Sequence, residues 1–154
     1  MKQIISPQIG LLMLESQFPR FQGDIGHPDA FRPQALVKVI ADATPERVVH
    51  ENADGLVARF VEGAKELEAM GATLITTSCG FLVRHQSTLQ QAVNVPVYSS
   101  SLLAIPFVEK NLKPKKLRAA VLTISPSSLS QEHLRAAGIT NKLLGKDAKK
   151  VFVA

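Results

Sequence analysis

The chain has 154 residues, 45% hydrophobic and 20% charged, with one cysteine, no tryptophan and a formal net charge of +5. This suits one ordinary globular domain with a substantial core; no apolar run approaches the ~18–20 residues of a membrane span, and a lone cysteine excludes an internal disulfide, which fits a reducing, cytoplasmic setting. The positive charge is local: five Lys and Arg in "KNLKPKKLR" and four in "KLLGKDAKK" make nine of the 18, and without interleaved aromatics or a recognition motif they imply no nucleic-acid partner.

The N-terminal "MKQIISPQIGLLMLESQ" has its apolar part broken by Pro7 and Gly10, so it reads as a first strand starting at Ile9 and not as a signal peptide. "IGLLML" is a continuous apolar run, as expected of a strand buried on both faces. The segment "FPRFQGDIGHPDAFRPQ" holds three prolines and two glycines without a period, and reads as a binding loop or lid. Its Arg20 and Arg32 are expected in solvent, the alternative being that one of them pairs with a second carboxylate of a substrate. "ALVKVIADA" reads as a short helix stopped by the "TP" at residues 44 and 45. Residues 54–70 form the most regular helix, with Leu56, Phe60, Ala64 and Leu67 on one face, Asp54 as N-cap and Gly71 just past the end.

"ATLITTS" is then a strand, "GFLVRHQSTLQQAV" a helix, "VPVYSS" a third strand, and "SLLAIPFVEKNL" a helix containing Pro106. "LRAAVLTIS" is a fourth strand, "PSSLSQEHLRAAG" a helix capped by Ser127 or Ser128 and ended by Gly138, and "ITNKLLG" a fifth strand. This alternation predicts an α/β fold, a parallel sheet with helices on both faces. Ligands of such sheets sit at the carboxyl ends of the strands.

Cys79 falls at such an end, immediately before a helix-like run. A helix start favours the thiolate and so predicts a lowered pKa. Thr76, Thr77 and Ser78 offer hydroxyls, and Gly80 opens its N–H to close approach by an anion. The alternative is a small buried hydrophobe, a common fate of free cysteine. A phosphatase loop requires five residues between Cys and Arg, whereas only four separate Cys79 from Arg84. A cysteine–histidine hydrolase requires a histidine in reach, and His85 lies off the face of Cys79. No second cysteine or close histidine pair suggests a metal site.

The segments "GLLMLESQFPR…GDIG", "FVEGAKELEAMGATLITTSCGFL" and "VPVYSSSLL" occur in that order between about residue 9 and residue 138. With them the chain resembles the aspartate/glutamate/hydantoin racemase superfamily. The resemblance implies a cofactor-independent racemase or epimerase acting on amino acids, with two α/β lobes and a cysteine on each side of the substrate α-carbon. It implies no metal or pyridoxal cofactor, and a small carboxylate-containing substrate. Cys79 matches the first catalytic cysteine; Thr76, Thr77, Ser78 and Gly80 match the segment around it; Glu15 and Ser16 match an acidic residue and a serine after the first strand. Ser99, Ser100, Thr123 and Ser125 are further candidates for lining the cleft.

Two departures stand out. Gly80 and Phe81 follow the cysteine where Asn-Thr is usual, which brings an apolar ring near the site. The opposing cysteine is missing before Ala154. The expected organisation is a first lobe at residues 1–113 and a partial second lobe at 114–154, with a longer family chain continuing past this point. A homo-oligomer is expected to cover the apolar face so left open. The alternative to an enzyme is a non-catalytic carboxylate-binding module or truncated remnant.

Overall fold

The computed structural model describes residues 7–112 and 121–139. Strands β1 (Ile9–Leu14), β2 (Leu36–Ile40), β3 (Leu74–Thr77) and β4 (Val97–Tyr98) form one all-parallel sheet in the order β2-β1-β3-β4. Helices α1 (Pro45–Val49), α2 (Val57–Ala69), α3 (Gln86–Ala92), α4 (Ala104–Leu112) and α5 (Gln131–Ala136) accompany it. The parallel α/β class expected from the alternation is the class that forms. In β1 both Leu11 and Leu12 are buried, as a continuous apolar run on a doubly covered strand requires. No helix of the described residues is long and apolar enough to cross a membrane.

Helix α2 lays Phe60, Ala64 and Leu67 into a core shared with Leu12 and Leu14 of β1, Ile40, and Val48 and Val49 of α1. Gly63 permits that approach, because a Cβ there would lie 2.6 Å from Ile40 Cδ1 and 3.0 Å from Leu12 Cδ2. A smaller core of Val83, Leu102, Leu134, Ala137 and Ile139 ties α5 to the segments that follow β3 and β4.

Several expectations are corrected. "ALVKVIADA" is strand β2: Val37 and Val39 are 44% and 47% exposed while Ile40 is buried, a period of two on β-branched residues that a helix cannot use. Helix α2 starts at Val57, after Leu56 and without a side-chain cap, so Asp54 is not its N-cap. The chain instead turns through Asn52, Ala53 and Gly55, all at positive φ. Gly71, with φ +98°, does stand just past its end. "GFLVRHQSTLQQAV" divides into a 3-10 segment, Gly80–His85, and helix α3. Pro106 sits in the first turn of α4, where its missing N–H has no intrahelical partner to lose. Ser130, not Ser127 or Ser128, caps α5.

The expected fourth strand lies partly outside the described residues. Its remainder, Val121–Ser125, forms no strand, and Leu122 and Ile124 are 77% and 84% exposed. No further strand among the described residues pairs with the outer side of β4, where α3 supplies side-chain amides. Gln90 Oε1 accepts from Val97 N–H at 2.9 Å and Gln90 Nε2 donates to Val95 O at 3.1 Å. Gln86 Oε1 accepts from Ser99 N–H at 3.0 Å, and Gln86 Nε2 donates to Val97 O at 2.7 Å. The proposed fifth strand, apart from Ile139, is outside the described residues.

Candidate active site

Strand β3 carries its last residues to the carboxyl end of the sheet, where Ser78 and Cys79 turn the chain into the 3-10 segment. Hydrogen bonds beyond the ladder fix this turn. Ser78 N–H donates to Leu12 O at 2.9 Å, and Ser78 Oγ accepts from Leu14 N–H at 3.0 Å. The Thr77 hydroxyl lies 2.9 Å from both Cys79 O and Ser99 O, and Thr76 Oγ1 donates to Tyr98 O at 2.8 Å. The hydroxyls of Thr76 and Thr77, expected to meet an anion, are thus spent on the backbone. Only Ser78 of the three reaches the cavity described next. Thr77 is buried, so Thr77→Val keeps its shape and removes the hydroxyl donor from Ser99 O, while Cys79 O keeps the Leu82 N–H at 3.1 Å. Urea unfolding is expected to show a loss of about 1–3 kcal/mol.

Cys79 is half-buried, with φ −137° and ψ 114°. Burial pushes its thiol above the ordinary value, and the Phe81 N–H offsets this only in part. This reverses the expected lowering. The thiol packs against the main core, and the segment it precedes is a 3-10 turn without the aligned amides of a long helix.

The thiol opens on a cavity of about 320 Å³, at the small end of the about 300–1,000 Å³ typical of ligand sites. Ser78, Cys79, Gly80 and Phe81 form one side. Leu14, Val49, Leu102 and Leu129 supply apolar walls, with Ser100 and Ser101 between them. Phe18, Arg20, Pro45 and Val121–Ile124 complete the described lining. Gly80 admits no side chain without moving Ser100, whose Oγ would stand 3.0 Å from an added Cβ.

Other expected residues lie elsewhere. The Glu15 carboxylate accepts from Asp42 N–H at 2.7 Å, steadying a turn in which Asp42 has φ 61°, and Glu15 does not line the cavity. Ser16 does not line it either, but Ser16 Oγ accepts from Arg20 Nη2 at 2.9 Å. Buried Ser99 donates its hydroxyl to Gln86 Oε1 at 2.6 Å. Ser100 and Thr123 line the cavity; Ser125 is buried beside it, 2.8 Å from Ser128 Oγ. Arg32 is exposed and pairs with Asp29, as expected of a solvent residue. Arg20 departs from that expectation: its side chain is only 16% exposed and lines the cavity. The "FPR" preceding an aspartate at i+4 was the available signal.

No histidine among the described residues lines this cavity. His85 Nε2 is 2.9 Å from Asn52 O, and His50 Nδ1 is 3.0 Å from Ser128 Oγ. His133 is buried behind Phe81, with ring centroids 5.3 Å apart. Burial and then Arg84 hold its imidazole below the ordinary value, so it stays neutral. Arg84 pairs with Glu132 at 2.6 Å and also stays out of the cavity. Among the described residues, no three His, Cys, Asp or Glu converge as a metal site would require.

Comparison with known proteins adds a chemical direction. Over 103 residues, 66% of this chain and 30% of the relative, the sequence is 32% identical to dimethylsulfoniopropionate lyase 7 of Emiliania huxleyi (strain CCMP1516). Dimethylsulfoniopropionate lyases 6 and 3 of the same organism are each 30% identical over 103 residues, 66% of this chain and 27% of theirs. The chain thus matches under a third of the length of these relatives. A match of 103 residues in a chain of 154 necessarily includes the central region and so Cys79. A crystal structure of an aspartate racemase homologue from Pyrococcus horikoshii OT3 aligns with a TM-score of 0.43 at 18% identity, covering 76% of this chain and 53% of that one. No family model matches the sequence. The sequence relatives are named as lyases, which overturns the expected amino-acid racemase.

Proposed function

We propose that the chain carries the base of a carbon–sulfur lyase for dimethylsulfoniopropionate or a closely similar β-sulfonio carboxylate. The observation that carries this reading is that Cys79, in the part of the chain that matches the lyases, lines a small, largely apolar cavity.

The chemistry suits the groups present. In 3-(dimethylsulfonio)propanoate the carbon next to the carboxylate bears the acidic hydrogens, and the next carbon bears the sulfonium. The Cys79 thiolate takes an α-proton, and the C–H pair becomes the new C=C bond. The Cβ–S bond breaks with its electrons going to sulfur, so neutral dimethyl sulfide leaves and acrylate remains. The thiol then returns its proton to solvent. Electrons depart with the sulfide, so no acid on the opposite face has to deliver a proton. One cysteine is therefore sufficient for the elimination.

The cavity lining supports the same substrate class. A methylated cation is matched by aromatic and aliphatic surface, which Phe81, Phe18, Leu102 and Leu129 provide. Ser78 and Ser100 add polar groups to the lining. The Gly80–Phe81 pair, a departure from the amino-acid racemase pattern, accords with an apolar cationic head and not with a second carboxylate.

The test is direct. Incubation of the full chain with dimethylsulfoniopropionate is expected to release dimethyl sulfide, measured in the headspace by gas chromatography, and an equal amount of acrylate by proton NMR. Absence of both products across pH 7–10 sinks the reading.

A further inference from the structure

We propose that Arg20 is the specificity determinant that reads the carboxylate of whatever occupies the Cys79 cavity, a proposal that rests on the lyase reading only for the identity of the substrate. Among the described residues that line the cavity, Arg20 is the one that carries a charge. Its guanidinium is held by four residues of the same loop and strand end, Ser16, Phe18, Asp24 and Gly26. Nη1 donates to Asp24 Oδ1 at 2.9 Å and Oδ2 at 3.2 Å, and Nη2 donates to Ser16 Oγ at 2.9 Å. The Phe18 ring lies 4.5 Å from Cζ. On another side the backbone of Gly26 comes so near that a Cβ there would stand 3.2 Å from both Cζ and Nε.

Such placement exceeds what a loop ion pair needs for its own sake, since exposed pairs contribute about 0–1 kcal/mol. It is what a fixed reader of carboxylate geometry needs, because an arginine that is ordered beforehand loses less entropy on binding. The donor inventory leaves room for a ligand. A guanidinium carries five N–H groups, and the bonds to Asp24 and Ser16 engage only the two terminal nitrogens. Asp24 is itself secured. Burial opposes its ionisation, but the Gly26 N–H, which donates to Oδ1 at 2.7 Å, and Arg20 outweigh it and hold its carboxyl below the ordinary value. Asp24 therefore serves as a permanent counter-ion that keeps Arg20 in place when the cavity is empty. A ligand carboxylate adds to that arrangement through the remaining donors and leaves the far end of the molecule toward Phe81 and the apolar wall.

The experiment measures binding by isothermal titration calorimetry in a Cys79→Ser background, where ligand is not consumed, with propionate, dimethylsulfoniopropionate and its methyl ester as probes. Arg20→Met is expected to weaken both carboxylates by about tenfold or more and to leave the ester unchanged; Arg20→Lys is expected to fall between. Asp24→Asn separates reading from scaffolding: it loosens the guanidinium but keeps it, and is expected to weaken carboxylate binding by less than Arg20→Met does while still sparing the ester. Equal losses for acid and ester, or carboxylate binding unchanged in Arg20→Met, overturn the proposal, as does failure of the parent to bind any of the carboxylates. Arg20-dependent binding of propionate by a protein that releases no dimethyl sulfide removes the lyase reading and keeps this one. Sulfide release with an unaltered KM in Arg20→Met does the reverse.

Discussion

Serine in place of Cys79 is expected to lower dimethyl sulfide release by about 10²–10⁴-fold, the usual contribution of a positioned general base. A hydroxyl occupies nearly the same volume, so the cavity and its contacts stay intact while the group able to take an α-proton near neutral pH is gone. The pH profile of the parent supplies an independent check. The working form is the thiolate, and burial raises the pKa of Cys79 above the ordinary value. The basic form therefore accumulates only as pH rises, and the rate is expected to climb through and beyond the ordinary thiol range. A thiol lowered by a helix start would instead give a plateau by pH 7. A thiolate formed against burial is also the stronger base, which compensates in part for its low population. Serine variant and parent with equal rates, or a rate flat from pH 7 to pH 10, speak against Cys79 as the base.

The largest stability loss is expected from Phe60→Ala. Phe60 is buried on α2 at the centre of the main core, among Leu12, Leu14, Ile40, Val48 and Val49. Truncation removes the transfer energy of a ring and leaves a cavity, together about 3–5 kcal/mol, a large part of the about 5–15 kcal/mol that holds a domain folded. The urea midpoint is expected to drop with little change in slope. Leu14 and Val49 belong both to this core and to the active-site lining, so the same variant is expected to weaken ligand binding modestly even where it remains folded. A loss below about 1 kcal/mol contradicts this account of the core.

The architecture was legible in the sequence because strands and helices announced themselves by composition. "IGLLML" and "ATLITTS" form central strands, and the face of Phe60, Ala64 and Leu67 is the face α2 buries. What failed was local. "ALVKVIADA" is a strand whose outward Val37 and Val39 hid its alternation, and Val121–Ser125 has strand-like residues without a strand's neighbour. Of the candidate site residues, Ser78, Cys79 and Gly80 meet in one cavity. Thr76, Thr77 and Glu15 are consumed by backbone hydrogen bonds that only tertiary placement creates. Arginine is usually solvated, and a proline- and glycine-rich loop carries no periodicity to show that Arg20, and not Arg32, turns to the cavity. The charge of a thiol is equally invisible in sequence, because it depends on what the sulfur packs against.

The glutamine pair of α3 bears on how copies of this chain can meet. By filling the hydrogen-bonding positions from Val95 to Ser99, Gln86 and Gln90 deny the β4 margin to any incoming strand, a form of edge protection against uncontrolled polymerisation. Backbone-mediated self-association is left to the β2 margin, where Lys38, paired with Glu66, places a charge that discourages it. Among the described residues, both margins of the sheet thus disfavour its continuation into another copy.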